Sequence, residues 1–286
     1  MIDGPAARTR AFLALLVVLT LAASLLAIRT AGAPSLMLAV QAAAGLIAAA
    51  AIFIVSRFSP ARDDARSAAV MAVGLFALAA TALFGVTMEG ATRWIGFGPL
   101  LLHTASIGLP FVVWAFALRP ATLLTAVLCA GSAAALAAQP DGGAAVAFAL
   151  ATAVRLWTYR GRLDLAAAAF ALVAAAWAWT RPDSLPAVSY VEEVVLVAFM
   201  AAPPVGLFAG LMLALLPAPF VFLGFRKNAP AALALAGLWG GFVLASVFGN
   251  YPAPVIGYGA SPWLGWGFSL GLALAHIGRA SAKGRP

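Results

Sequence analysis

The sequence predicts an all-α, polytopic integral membrane protein with about ten transmembrane helices and both termini in the cytoplasm. Three observations predict it: the apolar composition, the length of the apolar runs, and the placement of the basic residues. Hydrophobic residues make up 64% of the 286 residues, charged residues only 9%, and the mean hydropathy is +1.04. Soluble domains are about 45–50% apolar and about 25% charged. One core cannot bury such an excess, so lipid must serve as the solvent.

The apolar runs fit helices rather than barrel strands. In hydrocarbon, every backbone N–H and C=O group needs a partner within the protein, which leaves helices and closed barrels. The runs are continuous over about 17–25 residues, the length that a spanning helix requires. Barrel strands would alternate in segments of about 10 residues, and the sequence has no such alternation.

Ten apolar runs are long enough to be spans, and we expect them to form one domain over residues 1–286. The eighth is long enough to be tilted or broken, because Pro203, Pro204, Pro217 and Pro219 lie within it. To within a few residues, the predicted spans are 11–28, 36–56, 67–87, 100–117, 120–138, 143–159, 164–180, 194–224, 229–248 and 262–278.

The basic residues orient the chain. With the N-terminus inside, 14 of the 17 basic residues fall on the cytoplasmic side, and only Arg29, Arg93 and Arg181 fall outside. The positive-inside rule predicts this asymmetry for short loops. The net charge of +8 therefore indicates orientation and contact with anionic lipid, and it argues against a nucleic-acid partner. Because another full span follows the first, we expect the first to stay as an anchor rather than a cleaved signal peptide.

Few residues offer metal or redox chemistry. The single cysteine, Cys129, lies inside an apolar run, which excludes a disulfide framework and predicts a small packing residue. His103 begins a span and His276 ends one. Neither has a carboxylate or a cysteine at ligand spacing, so we expect both to be interfacial residues and no metal site to be built from them. The phosphate-binding Gly-x-x-x-x-Gly-Lys-Ser/Thr and zinc-binding His-Glu-x-x-His motifs are absent.

Polar and charged residues concentrate on the predicted external side. Five of the nine acidic residues lie there, near span ends: Glu89, Asp141, Asp183, Glu192 and Glu193. The external loops 88–99, 139–142, 181–193 and 249–261 also carry Arg93, Trp94, Gln139, Asn250, Tyr258 and Ser261. Charged groups at membrane depth are costly, so a one-sided cluster is a functional-site hypothesis. The alternative is that these are solvated loop residues, with Asp183 in a turn and Asp141 capping a helix.

Three of these external segments resemble the SEDS family of membrane proteins (FtsW, RodA and SpoVE). Residues 90–99, Gly-Ala-Thr-Arg-Trp-Ile-Gly-Phe-Gly-Pro, are similar to the family's Gly-Ala-x-Arg-Trp segment. Residues 139–144, Gln-Pro-Asp-Gly-Gly-Ala, resemble its Gln-Pro-Asp-Leu-Gly-Thr segment. Residues 252–261, Pro-Ala-Pro-Val-Ile-Gly-Tyr-Gly-Ala-Ser, resemble its Pro-x-Pro-x-x-Ser-Tyr-Gly-Gly-Ser segment. The three occur in the family's order and extend over nearly the whole chain.

The chain also departs from the family pattern. Where the family has Gln-Pro-Ser-Glu, this chain has His103-Thr-Ala-Ser106, so the glutamate is missing. The large external loop before the eighth span has shrunk to about 181–193. In the family this loop ends on a catalytic aspartate, followed by Ala-Val and a Glu-Glu pair. Asp183, followed by Ala187-Val188 and Glu192-Glu193, resembles that aspartate by residue type and by order, with one extra residue. A second register, anchored on Gly206, places Glu192 at its position.

The resemblance implies a glycosyltransferase that polymerises a polyprenyl-diphosphate-linked sugar, the lipid II of peptidoglycan, at the external face of the bacterial cytoplasmic (inner) membrane. Its implied partners are membrane lipid, the lipid-linked precursor and a single-span transpeptidase. Asp183 or Glu192 would be the catalytic base, and the substrate-binding residues would be Arg93, Trp94, Gln139, Asp141, Tyr258 and Ser261. A fixed arginine or a bound divalent cation would neutralise the leaving diphosphate.

Two other functions stay open. A non-catalytic relative would keep the fold and bind the lipid-linked precursor or act as a scaffold in cell-division or cell-shape machinery; the missing glutamate and the short loop favour it. A transporter or flippase of lipid-linked sugars would need ionisable residues near the bilayer midplane, and the middles of the spans are almost free of charge. The enzyme and the scaffold are distinguished by whether Asp183 or Glu192 faces a cavity shared with Arg93 and Tyr258, and an acid that points into bulk water would exclude the enzyme.

Overall fold

The computed structural model of the chain describes residues 5–57, 64–98, 100–181 and 185–283. Within these ranges the fold consists of helices and one small sheet. The helices are α1 Pro5–Thr30, α2 Ser35–Val55, α3 Asp64–Phe84, α4 Thr104–Ala117, α5 Leu123–Ala138, α6 Gly142–Tyr159, α7 Arg162–Thr180, α8 Val194–Ala201, α9 Pro203–Ala214, α10 Ala218–Lys227, α11 Pro230–Phe248 and α12 Ala260–Lys283. The strands are β1 Val86–Met88, β2 Ala91–Phe97 and β3 Leu100–His103.

The predicted polytopic helical fold is confirmed. Each of the ten predicted spans falls on helix, and in the described part of the chain six segments are long and apolar enough to cross a membrane. These segments are Arg8–Thr30, Ser35–Val55, Asp64–Phe84, Arg162–Thr180, Pro203–Lys227 and Pro230–Phe248. The apolar helices α4 and α5 are shorter. The total of ten spans and the cytoplasmic termini stay predictions.

The eighth predicted span is broken, as its prolines indicate. Ala202 separates α8 from α9 with extended dihedral angles of φ −152° and ψ 89°. The residue before a proline is disfavoured in the helical conformation, and Pro203 has no N–H to continue the backbone ladder. A second break, at 215–217, separates α9 from α10; it contains Pro217, and Pro219 lies in the first turn of α10. The break at Ala202 opens a concave surface between α8 and α9.

Small residues allow the helices to approach closely. The spacing Gly267-x-x-x-Gly271 predicts close helix packing, and in α12 both glycines contact α2, at Ala48 and Val55. In the same way, α6 packs along α11, where the glycines 237 and 241 face the α6 backbone. Around this pair, α7 packs on α6, α4 packs on α3 and α12, and α1 contacts α2, α8 and α9. The predicted packing role of Cys129 is confirmed, because it is fully buried in α5.

The segment predicted as the external loop 88–99 forms an antiparallel sheet with strand order β1-β2-β3. The predicted start of the fourth span at 100 is wrong, because residues 100–103 pair as β3 with β2 and α4 begins at Thr104. The run Leu-Leu-Leu resembles the start of a span by hydropathy alone. Gly90 and Gly98, with φ of 84° and 59°, adopt the left-handed conformation that the two turns need, and this favours strand pairing.

One buried ion pair lies at the opposite end of the bundle, which the charge pattern places in the cytoplasm. Arg155 of α6 pairs with Asp164 of α7, and both side chains are about 2% exposed. The Nε and Nη2 of Arg155 donate to the carbonyl oxygens of Phe116 and Arg119, each at 2.7 Å. The carboxylate of Asp164 also accepts the N–H of Ala121 at 3.2 Å. This pair therefore fixes the turn between α4 and α5 against α6 and α7.

Candidate functional site at the outer end of the bundle

The end that the charge pattern places outside holds the predicted site residues in two separate regions. The first, called here the polar cluster, is buried between the sheet and the first turns of α4, α6 and α12. It consists of Arg93, Trp94, His103, Gln139, Asp141, Tyr251 and Ser261. The second is an apolar groove with Glu192 at its outer end. The predicted catalytic residue Asp183 lies outside the described residues.

Asp141 is the centre of the polar cluster. It is 2% exposed and caps α6, because its Oδ1 accepts the N–H of Ala144 at 3.0 Å. Its Oδ2 lies 2.8 Å from Nε2 of His103. A carboxylate only accepts, so Nε2 carries the proton and donates to it. The capping role expected of Asp141 is confirmed, and the histidine contact adds a second, long-range role.

His103 connects three elements. It ends β3 and precedes α4, and its Nδ1 lies 2.7 Å from the hydroxyl oxygen of Ser106. Its backbone N–H donates to Oγ of Ser261 in α12 at 2.9 Å. The sequence reasoning assigned His103 only an interfacial role, so the contact with Asp141 was missed. A signal was present, since His103 begins the His-Thr-Ala-Ser segment that replaces the family's Gln-Pro-Ser-Glu.

The charges around Asp141 change its acidity. Burial acts to raise the pKa of its carboxyl group, but His103 and Arg93, through charge and through the hydrogen bond from His103, outweigh burial. The bond from Ala144 acts in the same direction. The pKa of Asp141 is therefore below its ordinary value of 3.8, and the group is a carboxylate at neutral pH. It suits charge pairing and not the donation of a proton.

Arg93 joins the sheet to the turn between α5 and α6. It is 4% exposed, and its Nη2 donates to the carbonyl oxygen of Pro140. Its guanidinium lies 5.5 Å from the ring centre of Tyr251 and 6.0 Å from that of Trp94. A buried guanidinium between two rings is held by cation–π attraction as well as by its hydrogen bond. Contact between Arg93 and a substrate diphosphate stays a prediction.

Gln139 and Ser261 hold neighbouring helices at this end. Gln139 is fully buried at the end of α5, and its Nε2 donates to the carbonyl oxygen of Leu78 in α3 at 2.6 Å. Ser261, in the first turn of α12, is buried and bonds to His103. Both residues were predicted to bind substrate, and nothing in their contacts tests that prediction. Their contacts within the chain fix α3, α5, α12 and the sheet relative to one another.

The segment 250–259 lies between the polar cluster and the groove. Tyr251 faces Arg93, whereas Asn250 and Ala253 line the groove. The N–H groups of Ala253 and Tyr258 donate to the carbonyl oxygens of Val191 and Tyr190, at 3.1 and 2.9 Å. The ring of Tyr258 packs edge-on against that of Tyr190 with 6.3 Å between ring centres. Tyr258 therefore lies beside the segment that leads to Glu192, and not in the groove.

The groove runs between α8, α9 and α11 and has a volume of about 830 Å³. Its walls are apolar, with Leu196, Phe199, Leu207 and Val243 among the lining residues. Its outer end carries the carboxylates of Glu192 and Glu193 together with the amide of Asn250. Glu192 is half-buried, and its Oε2 accepts the N–H of Val188 at 2.9 Å. Arg93 and Tyr258 are not among the lining residues, so Glu192 faces this groove without them.

The described part of the chain holds no group of three or more histidine, cysteine or acidic side chains arranged to bind a metal ion. Among the described residues that line the groove, Glu192 and Glu193 are the two that carry carboxylates. Mg²⁺ is commonly bound by one or two carboxylates together with substrate phosphates, and it keeps several waters. These two residues are therefore the part of the groove that could hold a divalent cation when a diphosphate is bound.

Comparison with known proteins identifies the fold and the family. The family model of the FtsW/RodA/SpoVE proteins, described as "Cell cycle protein", matches residues 7–193, which is more than half of the chain. The chain belongs to this family. The family membership that the sequence predicts is thereby confirmed, and the match covers two of the three similar segments, 90–99 and 139–144. No curated protein matches the chain.

The fold is also similar to that of solved structures. The rod shape determining protein RodA of Thermus thermophilus aligns with a TM-score of 0.63 and 22% identity over 92% of this SEDS chain and 94% of RodA. A single-substitution variant of that protein aligns with a TM-score of 0.63 and 21% identity, covering 92% and 95% of the two chains. A chain from a structure described as "Structural coordination of polymerization and crosslinking by a peptidoglycan synthase complex" aligns with a TM-score of 0.60 and 21% identity, covering 92% and 97%. These similarities establish a RodA-like fold over nearly the whole chain.

Proposed function

We propose that this SEDS protein polymerises a polyprenyl-diphosphate-linked sugar of the lipid II type at the external face of the bacterial inner membrane. The observation that supports the proposal is the groove between α8, α9 and α11, in which apolar walls lead to the carboxylates of Glu192 and Glu193. A polyprenyl chain needs a long apolar surface, and its reacting sugar needs a carboxylate at the polar end. The groove offers both within one continuous surface.

The chemistry assigns a role to Glu192. A hydroxyl oxygen of the acceptor sugar attacks the anomeric carbon of the donor, and the bond from that carbon to the diphosphate oxygen breaks. The diphosphate leaves with the bonding electrons, and the hydroxyl proton passes to the carboxylate of Glu192. A general base must come within about 2.6–3.2 Å of the hydroxyl oxygen, directly or through one water. Asp183 is the alternative base from the sequence and belongs in the same test.

Charge at the leaving group needs a counterion. Two carboxylates at the outer end of the groove would repel a diphosphate, because like charges at close range cost free energy. A divalent cation bound by Glu193 and the diphosphate would supply the missing positive charge and stabilise the leaving group. Arg93 is the other candidate from the sequence, but its buried guanidinium bonds to Pro140 on the far side of the segment 250–259.

The experiment is a polymerisation assay with purified protein, fluorescent lipid II and Mg²⁺, with products resolved by gel. The variants are Glu192→Gln and Asp183→Asn, each nearly isosteric with the parent. The matched control is Glu89→Gln, because Glu89 is an exposed external acid in the turn between β1 and β2. Removal of a general base lowers the rate by about 10²–10⁴-fold. We expect polymer from the parent and the control, and a loss of that size in one of the two acid variants.

A second candidate function is the non-catalytic one, in which the protein binds the lipid-linked precursor or serves as a scaffold. The observation that favours it is at α4, where Ser106 replaces the family's glutamate and its hydroxyl bonds to His103 instead of facing the groove. Saturable binding of the fluorescent precursor, without polymer from any variant, would support this function over catalysis.

The proposed partners follow from the same surfaces. Exposed apolar side chains on α2, α3 and α7 fit contact with membrane lipid, as expected for spanning helices. We include a single-span transpeptidase among the partners, since a structurally similar chain was solved in a peptidoglycan synthase complex described as coordinating polymerisation and crosslinking. Co-purification of this protein with such a transpeptidase from membranes tests that part of the proposal.

A further inference from the structure

A buried glutamine links the first two helices to the segment 250–259. Gln41 lies in α2, near its outer end, and is fully buried. Its Nε2 donates to the carbonyl oxygens of Gly257 at 2.9 Å and Val255 at 3.3 Å. Its Oε1 accepts the N–H of Gly259 at 3.0 Å. The amide therefore binds three backbone groups within five consecutive residues.

Ser24 of α1 completes this arrangement. Its hydroxyl accepts Nε2 of Gln41 at 2.8 Å and donates to the carbonyl oxygen of Ile256 at 2.9 Å. Ser24 is also fully buried. Together the two side chains contact four buried backbone groups between residues 255 and 259; because the Nε2 of Gln41 has two hydrogens for three acceptors, its 3.3 Å bond to Val255 is a shared and weaker one. Unpaired buried backbone groups are costly, so the two residues fix the path of this segment.

The backbone at this point needs such support. Val255 has a φ of +67°, in the left-handed region that a β-branched residue rarely adopts. A residue of this kind persists only where its surroundings fix it. The amide of Gln41 bonds to the carbonyl of this same residue. The segment therefore has one preferred path as long as Gln41 holds it.

The segment 253–259 is hydrogen-bonded to the residues that precede Glu192 at the groove. Ala253 and Tyr258 donate to the carbonyl oxygens of Val191 and Tyr190, and Glu192 follows directly. Residues 253–259 thus lie between Gln41 on one side and the segment that carries Glu192 on the other. Gln41 does not itself line the groove.

We propose that Gln41 is a positioning residue, which holds the segment 255–259 and through it sets the position of Glu192 at the outer end of the groove. The inference rests on the proposed function for the importance of Glu192. The hold of Gln41 on the segment 255–259, called here the clamp, rests on the hydrogen bonds alone. Most of the groove-lining residues lie on α8, α9 and α11 and do not bond to Gln41, so we expect substrate still to bind when Gln41 is lost. The carboxylate would no longer be held at one position relative to the sugar.

The test uses Gln41→Leu, an apolar replacement of similar size that suits a buried helix position. The reporter is Ala253→Cys, at a residue that is 3% exposed and whose N–H donates to Val191. Ala253 lines the groove but is almost fully buried, so a membrane-impermeant maleimide labels this cysteine slowly in the closed segment and faster when the segment opens. Native Cys129, fully buried in α5, reports global unfolding in the same molecule, and mass spectrometry separates the two sites. The matched control is Thr20→Val, since the buried hydroxyl of Thr20 bonds only within its own helix, to Leu16.

In Gln41→Leu we expect the cysteine at 253 to be labelled about tenfold faster, which corresponds to about 1.4 kcal/mol, while Cys129 stays unlabelled. In Thr20→Val we expect both rates to match the parent. Polymerisation by Gln41→Leu should fall at least tenfold in kcat with little change in KM. Unchanged labelling at 253, or equal acceleration at 253 and Cys129, would overturn the clamp.

Faster labelling at 253 with polymerisation at the parental rate would overturn the link from Gln41 to Glu192. If the parent makes no polymer at all, the proposed function fails, and labelling alone still supports or overturns the clamp. The two failures are therefore distinguishable.

Discussion

Replacement of Asp141 tests whether the polar cluster stabilises the fold. Asp141→Ala removes the cap of α6, which costs about 0.5–2 kcal/mol. It also leaves the buried Nε2–H of His103 without its acceptor, which costs about 1–3 kcal/mol. We expect a total loss of roughly 2–5 kcal/mol in the free energy of unfolding. Asp141→Asn keeps a capping oxygen and loses the charge, so we expect a smaller loss of about 1 kcal/mol.

The assay is thermal unfolding in detergent, followed through the reaction of a fluorogenic thiol dye with Cys129, which is fully buried in the native protein. The matched control is Asp64→Ala. Asp64 pairs with Arg119 at 2.9 Å, but its side chain is 65% exposed, so we expect a loss of at most about 1 kcal/mol. Equal destabilisation by Asp141→Ala and Asp64→Ala would refute the reasoning, because the buried contacts would then add nothing beyond a surface ion pair.

Two further predictions concern charge. The pKa of Asp141 in the folded protein is below 3.8, so its stabilising contribution is complete above pH 3.8 and is lost as pH falls through the pKa of the folded state. The Asp141→Asn variant lacks this titrating group. When unfolding is measured from pH 4 to more acidic conditions, we therefore expect the variant to lose less stability than the parent. At the other end of the bundle, Asp164→Asn leaves the buried charge of Arg155 without its partner, and we expect a loss of about 3–5 kcal/mol in the same unfolding assay. A loss no larger than that of Asp64→Asn would mean that the Arg155 pair does not hold the α4–α5 turn.

Much of the fold could be predicted from the sequence because lipid imposes a simple rule on the chain. The continuous apolar runs identified the helical segments, and the prolines at 203 and 217 indicated that the eighth is tilted or broken. The sheet at 86–103 could not be predicted in this way. Its third strand is as apolar as a span, and the turns at Gly90 and Gly98 depend on backbone angles that hydropathy does not measure.

The candidate site could be predicted only in part. The polar external residues Arg93, Gln139 and Asp141 do lie together with Ser261, as their one-sided placement indicated. His103 was missed because its partner is 38 positions away, and no local spacing connects the two. Gln41 was missed for the same reason, since its partners lie more than 200 positions further along the chain. Contacts of this kind depend on how the helices pack.

The central claim is that Glu192 at the outer end of the groove takes the proton from the acceptor sugar. The most direct measurement is the rate of glycan polymerisation by Glu192→Gln relative to Glu89→Gln, with purified protein, fluorescent lipid II and Mg²⁺. We expect glycan chains from the control at the parental rate and a fall of about 10²–10⁴-fold in Glu192→Gln. Polymerisation by Glu192→Gln at the rate of the control would contradict it.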